Sequence, residues 1–557
     1  MSEFKNKQFV THFLPLVAFA CVAMMSAFIY GITSGNDLFQ HYQFALTIRE
    51  SISSGEIYPS FAASLNHGFG DVGLRFYPPL SYYALNFFHF LTGEWYFASQ
   101  LQFFLVFLLS GLGTYLWAQE EFSPNQALIA AAIYIFAPHH LNQIYNNFLF
   151  AEFNATAVIP FCFLFVTRVC RKNDRLDIFG LAIAYAFLIL THLPLTIICS
   201  VVLGIYAVII LPREKVFSTL FKLSAAVISA LALTAFYWSR LISEMNWVKH
   251  STPKYFSGTW DYQTNFLFQI ENIVNFQDDV LNLWLADLML LSMVLISILS
   301  FILLIRNKFA VSKLVWAVFA VLVFAIFMTT PLSDFVWANL PFLQKVQFPW
   351  RWLGIVSLFG AIFSSIGIGQ LSETLKKSGN ILLPIGVGAI FLVFIFTSSF
   401  IVKCAVYNSR QDFNRQFDTL NEVESFECWW TIWAEKSAFN QEEKIAVQNR
   451  AVKIQTWKAT ERIFAVSAGE AQPISVATFY YPHWKAKVNG IETEVDKTVD
   501  GKILIPLSEA ESVIELKFVE PFLVKICTVL SIVTWLTGLG LLLLNLFYRA
   551  RLKTSQP

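Results

Sequence analysis

Apolar runs of about 20 residues, long enough to cross the hydrocarbon core of a bilayer as helices, recur along most of the chain between short polar breaks. They fall at 9–32, 96–118, 125–141, 151–169, 177–192, 194–211, 219–241, 283–305, 313–330, 350–371, 381–402 and 522–547, about twelve transmembrane helices by this length criterion. The stretch 82–91 is too short to cross and reads as an interfacial or re-entrant helix. The break at Thr191-His192-Leu193-Pro194 reads either as a turn between two helices or as a kink in one long helix.

One polar region, 403–520, interrupts this pattern before the last helix. Its second half alternates with the period of a strand: Ile474 to Phe479, Trp484 to Val488, Glu492 to Val495, then 503–506 and 513–519. Asn489-Gly490 between two alternating runs is a strong hairpin signal. The expectation is a small β-rich domain, read as a sandwich. Its first half, around Cys428-Trp429-Trp430, shows no assignable pattern. The chain thus divides into a transmembrane helical domain at 1–402 with a large first outer loop at 33–81, an extracytoplasmic β-rich domain at 403–520, and a last helix with a cytoplasmic tail at 521–557.

Composition agrees. The chain is 56% hydrophobic and 14% charged, with a mean hydropathy of +0.56, well above a soluble protein's apolar share of about 45–50%. A net charge of +1 argues against nucleic acid as a partner. Lys5, Lys7, Arg171, Lys172, Arg175, Arg213, Lys215, Arg306, Lys308, Lys313, Lys376, Lys377, Arg549, Arg551 and Lys553 all fall at one end of the spans. The positive-inside rule makes that end cytoplasmic, so the expectation is a multi-pass protein of the cytoplasmic (inner) membrane with both termini in the cytoplasm. The acidic loop Glu120-Glu121 is the exception, and acidic residues weigh little in that rule. The first apolar run is longer than a signal peptide's core of roughly 7–15 residues, so it reads as a retained helix.

Of seven cysteines, Cys404 and Cys428 lie outside and allow an extracytoplasmic disulfide. The others behave as small hydrophobes in or beside spans. His41, His67, His89, His139, His140, His192, His250 and His483 collect at the outer face. For His89 and His250 the plain reading is an interfacial residue. His192 beside Pro194, and His139-His140 ahead of the amide-rich 142–147 and Glu152, are stronger site candidates. A carboxylate deep in a span, such as Glu152, needs a cavity or a partner; near the interface it can also snorkel.

Two motifs carry the chemistry. Asn36-Asp37 with His41 sets a carboxylate and an imidazole at the mouth of the first span. The loop behind it is too long for a simple connector and includes Gly68-Phe69-Gly70-Asp71 and Arg75-Phe76-Tyr77-Pro78-Pro79. Gln347-Phe348-Pro349-Trp350-Arg351-Trp352 places an arginine between interfacial tryptophans. A guanidinium there can clamp a phosphate through two hydrogen bonds or anchor to lipid headgroups generally.

Asn36-Asp37 with His41, Ser54-Gly55-Glu56-Ile57-Tyr58-Pro59, Asn66-His67-Gly68-Phe69-Gly70 and Phe76-Tyr77-Pro78-Pro79-Leu80 resemble the opening of the 6-pyruvoyl-tetrahydropterin synthase-related membrane domain family. The resemblance runs on through Ile144-Tyr145, Glu152, Pro160, Thr191 to Pro194, Phe236-Tyr237-Trp238 with Glu244, 347–352 and Phe479 to Gly490. Where an Arg-Gly pair is expected, this chain has Asn146-Asn147. The resemblance implies a type-C glycosyltransferase architecture, using a polyprenyl-phosphate sugar donor, membrane lipids and an extracytoplasmic acceptor. It makes Asp37 the catalytic position, with His41 adjusting it, and Arg351, Arg75 and His192 the donor-phosphate ligands. Tyr77, His139, Glu152, Glu244 and Trp350 are expected to line the same site. No cofactor is required; a divalent metal on Asp37, His41 and Glu152 is one option. The competing readings are a transporter or flippase of lipid-linked precursors and a non-catalytic assembly factor for envelope polysaccharide.

Overall fold

The computed structural model describes residues 2–172, 174–269, 282–309, 311–377 and 382–554. Residue 381, where one expected span begins, lies outside them, as do the side chains of Lys5, Lys7, Lys377, Arg549, Arg551 and Lys553. Among the described residues nine helices are long and apolar enough to cross a membrane: Thr11–Tyr30, Trp95–Ala118, Phe150–Arg171, Leu193–Ile210, Arg213–Leu233, Leu283–Arg306, Pro349–Lys376, Leu383–Cys404 and Phe522–Asn545. Lys313–Met328 and Pro331–Asn339, bent by 95°, make a tenth if counted as one span. The protein is a multi-pass helical membrane protein.

Two expected spans are shorter than the apolar pattern suggested. The run at 125–141 splits into Pro124–Ile135 and Pro138–Tyr145, because Pro138 lacks the N–H an interior helical residue donates and its ring would strike the preceding turn. Arg175–Thr191 has 17 residues and ends where His192 turns extended. His192 then caps Leu193–Ile210, its Nδ1 accepting Leu195 N–H at 3.3 Å. The 191–194 break is therefore a turn between two helices. Helices also approach closely where side chains vanish: Gly367 lies on Ser300 so tightly that a Cβ would come within 2.4 Å of its Cα, and Gly367 N–H donates to Ser300 Oγ at 2.9 Å.

The acidic loop that broke the charge pattern is neutralised by its own end of the bundle. Glu120 pairs with Arg168 and Lys172 at 2.7 Å each, and Glu121 with Arg171 at 2.5 Å.

Before the last helix stand two antiparallel sheets. One orders Val452–Trp457, Glu461–Val466, Ser512–Phe518, Trp484–Val488 and Ile491–Thr493; the other orders Ile445–Ala446, Gln472–Phe479, Lys502–Leu507 and Asp496–Lys497. The Asn489-Gly490 hairpin forms as expected, with φ of +52° and +80° and Val488 opposite Ile491, the geometry of a type I′ turn. The stretch 404–440 holds no long strand; it carries the helix Arg410–Asp418 and three 3-10 turns. Cys404 and Cys428, which the sequence left free to pair, are separate thiols in this structure.

The first loop is folded onto this β domain. It contains the helix Leu38–Ser53 and 3-10 turns at Asn66–Gly68 and Gly73–Arg75. Phe61, Val72 and Phe76 from it enter one hydrophobic core with Phe464, Ile474, Trp484, Ile503 and Leu516. Burial of such side chains contributes about 1.5–3 kcal/mol each, so loop and β domain form one unit.

Candidate active site

Asp37 stands just before Leu38–Ser53 and makes no capping hydrogen bond with its side chain. Its carboxylate is therefore not engaged in holding the helix and is available to a ligand. Asp37 is half-buried. Burial pushes its pKa up to about 6; the charge of Arg351 opposes that rise and the charge of Glu152 adds to it. A carboxylate tuned this way is a better proton acceptor near neutrality than an ordinary aspartate.

Facing it, Glu152 lies in the first turn of Phe150–Arg171 and is almost wholly buried. Its Oε2 accepts Arg351 Nε–H at 3.2 Å and its Oε1 accepts Gln143 Nε2–H at 3.0 Å. His139 and His192 approach the same carboxylate at 3.5 and 4.0 Å. Pro349 begins the 3-10 turn that presents Arg351. The guanidinium lies over Phe348 and Trp350, at 4.8 and 5.5 Å from the ring centres, and its Nη1 donates to the carbonyl of Val346. Nη2 meets no acceptor among the described residues. Nearby, His139 Nδ1 and Trp350 Nε1 are buried without hydrogen-bond partners among the described residues. Tyr77, half-buried, feels the charges of Asp37, Arg351 and Glu152. Asp37, Tyr77, His139, Glu152, His192, Trp350 and Arg351 thus come from six separate chain segments.

Three expected site residues are placed differently. Arg75 is sealed inside the protein: Glu244 takes its Nε and Nη2 at 2.8 Å each, Glu520 takes Nη1 and Nη2 at 2.6 and 3.0 Å, and Ser60 O takes Nη1 at 3.3 Å. All five of its N–H bonds have protein acceptors, leaving none for a phosphate. Glu244 is its partner, also bonded by Tyr481 Oη at 2.7 Å and near His483 Nε2 at 3.1 Å. Together they fasten the first loop and the helix Ala235–Glu244 to the β domain. Arg75 keeps Glu520 acidic, at a pKa of about 2.

His41 is buried among Tyr77, Tyr82, Phe148 and Phe150, and its Nδ1 bonds Tyr82 Oη at 2.7 Å. Burial and the neighbouring His192 hold its pKa near 3, so it is a neutral ring supporting the wall behind Asp37. Of the trio Asp37, His41 and Glu152, His41 Nδ1 turns to Tyr82, and Glu152 to Arg351 and Gln143. Among the described residues no group of three or more His, Cys, Asp or Glu side chains converges to hold a metal ion.

Sequence reasoning missed the cover of the site. Thr431 bridges Val248, and Lys249 N–H donates to Trp430 O at 3.0 Å. Phe426 N–H reaches Gln40 Oε1 at 2.6 Å, and Ser425 Oγ reaches Asp71 Oδ2 at 2.5 Å. Segments near 70, 250 and 428 form one roof beside Asp37. The Cys428-Trp429-Trp430 run was visible in the sequence, but no periodicity marks a roof assembled from such distant pieces.

The fold and site define a polytopic membrane protein whose ionisable cluster stands at helix ends beneath a β-domain roof. Residues 74–406, more than half of the chain, match the family described as 6-pyruvoyl-tetrahydropterin synthase related domain, membrane protein, and the chain belongs to that family. No curated protein matches it in sequence. Similar solved structures include ArnT from Cupriavidus metallidurans bound to undecaprenyl phosphate, with a TM-score of 0.43, 13% identity, and coverage of 73% of this chain and 68% of that one. The arabinofuranosyltransferase AftD from Mycobacteria aligns with a TM-score of 0.44 and 15% identity over 70% of this chain and 26% of that one. The apo oligosaccharyltransferase of Archaeoglobus fulgidus aligns with a TM-score of 0.44 and 13% identity over 72% and 57%.

Proposed function

We propose that this protein is a membrane glycosyltransferase that moves a sugar from a polyprenyl-phosphate-linked donor to an extracytoplasmic acceptor in the cell envelope. The observation that carries the reading is a carboxylate with no structural bond, Asp37, set near an arginine with an unoccupied Nη2, Arg351. The acceptor hydroxyl oxygen attacks the anomeric carbon while the bond from that carbon to the phosphate oxygen breaks. Asp37 takes the hydroxyl proton. The charge left on the departing lipid phosphate is met by Arg351, with His192 beside it. Glu152 holds Arg351 in place through Nε. The lipid tail lies among the apolar spans.

Asp37, Glu152, His192 and Arg351 all stand at or next to helix ends, where a lipid headgroup resides. A transporter would instead carry its ionisable residues near the bilayer midplane. The active site is proposed to open on the extracytoplasmic face, with both termini in the cytoplasm. Purified protein in nanodiscs, incubated with polyprenyl-phosphate sugars and envelope glycan acceptors, should release free polyprenyl phosphate in step with glycosylated acceptor. Binding of the donor without any release, across the whole panel, would overturn the enzyme reading.

A further inference from the structure

Trp429 links the two halves of the site. Its ring meets Tyr77 edge-on at 5.5 Å and 81°, and stacks on His250 at 4.9 Å and 14°. Tyr77 lies within electrostatic reach of Asp37 and Arg351. His250 lies within reach of Arg351 and of Lys345. The neighbouring Cys428 thiol feels the charges of Asp37 and Asp71. The indole therefore spans from the residue beside the base to the residue beside the phosphate clamp.

Its position is fixed from several sides. Trp430 Nε1 donates to Ser425 Oγ at 3.0 Å, Lys249 Nζ pairs with Glu427 at 2.8 Å, and Gly73 packs against Trp429 Cβ. A sugar whose anomeric carbon sits between a base and a phosphate ligand must lie in the space those two residues bracket. Trp429 is the roof residue that touches a neighbour of each, Tyr77 on one side and His250 on the other. Binding sites that hold small polar ligands combine aromatic walls with a few placed polar groups, and a sugar ring offers apolar C–H edges to such a wall.

We propose that Trp429, contributed by the segment leading into the β domain, is the sugar-recognition residue of this site and packs against the C–H face of the transferred sugar. This rests on the glycosyltransferase reading above. It also gives the β domain a direct part in the reaction centre, since the domain positions the roof from which Trp429 projects. The bare lipid phosphate, held by Arg351, makes no contact that depends on the indole.

The test compares two lipids, a polyprenyl-phosphate hexose or pentose that binds wild type and the same polyprenyl phosphate without its sugar. Affinities are measured for wild type, Trp429→Phe and Trp429→Ala in nanodiscs. Trp429→Ala should weaken the sugar-bearing lipid about tenfold or more, the scale of losing one apolar pocket contact, and leave the bare phosphate lipid unchanged. Trp429→Phe should keep most of the affinity for the sugar-bearing lipid. Equal weakening of both lipids, or no change in either, would reduce Trp429 to a packing residue of the roof. Failure of wild type to bind either lipid would instead overturn the donor reading itself.

Discussion

Arg351 gives its Nε–H to Glu152 Oε2 at 3.2 Å while its Nη2 stays unengaged among the described residues. Two guanidinium nitrogens are anchored, Nε on Glu152 and Nη1 on the Val346 carbonyl, and Nη2 is left for a ligand. Arg351→Lys keeps the charge but loses the planar fork, so donor affinity and turnover should both fall by an order of magnitude or more. Glu152→Gln removes the ionic anchor, and should raise the donor KM with a smaller loss in kcat. Full activity and unchanged donor affinity in Arg351→Lys would make Arg351 an interfacial anchor only.

The pH dependence follows from Asp37. With its pKa raised to about 6, the carboxylate form, and with it the rate, should grow as pH rises through 6 and level off above 7 or so. Arg351 lowers this pKa, so in Arg351→Gln the residual activity should show its rising limb at higher pH. A kcat profile that is flat between about pH 5 and pH 8 would contradict a titrating base of this kind.

Arg75 and Glu244 belong to stability. Replacing Arg75 with Leu leaves Glu244 buried without its arginine and leaves Glu520 with Arg240 alone, at 3.3 Å; breaking a buried pair such as Arg75–Glu244 costs about 3–5 kcal/mol. The expected outcome is a lower thermal midpoint in detergent and faster proteolysis near Glu520, with far less effect from Arg410→Ala in the exposed pair with Glu94. An Arg75→Leu protein as stable as wild type would show that the β domain is held by apolar packing alone.

Orientation can be read chemically. Val499 is fully exposed between the strands Asp496–Lys497 and Lys502–Leu507 of the β domain. In cells expressing Val499→Cys on a Cys404→Ser background, a thiol reagent that cannot cross the inner membrane should label the protein without permeabilisation. Labelling only after permeabilisation would place the β domain, and Asp37 with it, inside.

Most helices and the Asn489-Gly490 hairpin were legible because each follows from a local pattern: apolar length, alternation, a turn dipeptide. Pro138 was visible too, yet the apolar run at 125–141 masked its break. Asp37, Glu152 and Arg351 could be singled out because each is a lone charge among apolar or aromatic neighbours. What the sequence hid was pairing. Arg75 and Arg351 look alike as arginines in aromatic surroundings, and only distant carboxylates, Glu244 and Glu520 for one and Glu152 for the other, decide which keeps a free donor. His41 likewise sits at helical spacing from Asp37, but its ring turns away to Tyr82.

The central claim is that Asp37 acts as the base in sugar transfer. Asp37→Asn is nearly isosteric and removes no structural hydrogen bond of the side chain, so folding and lipid-donor affinity should match wild type. The deciding measurement is the single-turnover rate of sugar transfer from a bound polyprenyl-phosphate sugar by wild type and Asp37→Asn. A fall of about 10²–10⁴-fold, the range for losing a general base, with donor affinity preserved, is the expected result; transfer at the wild-type rate would contradict it.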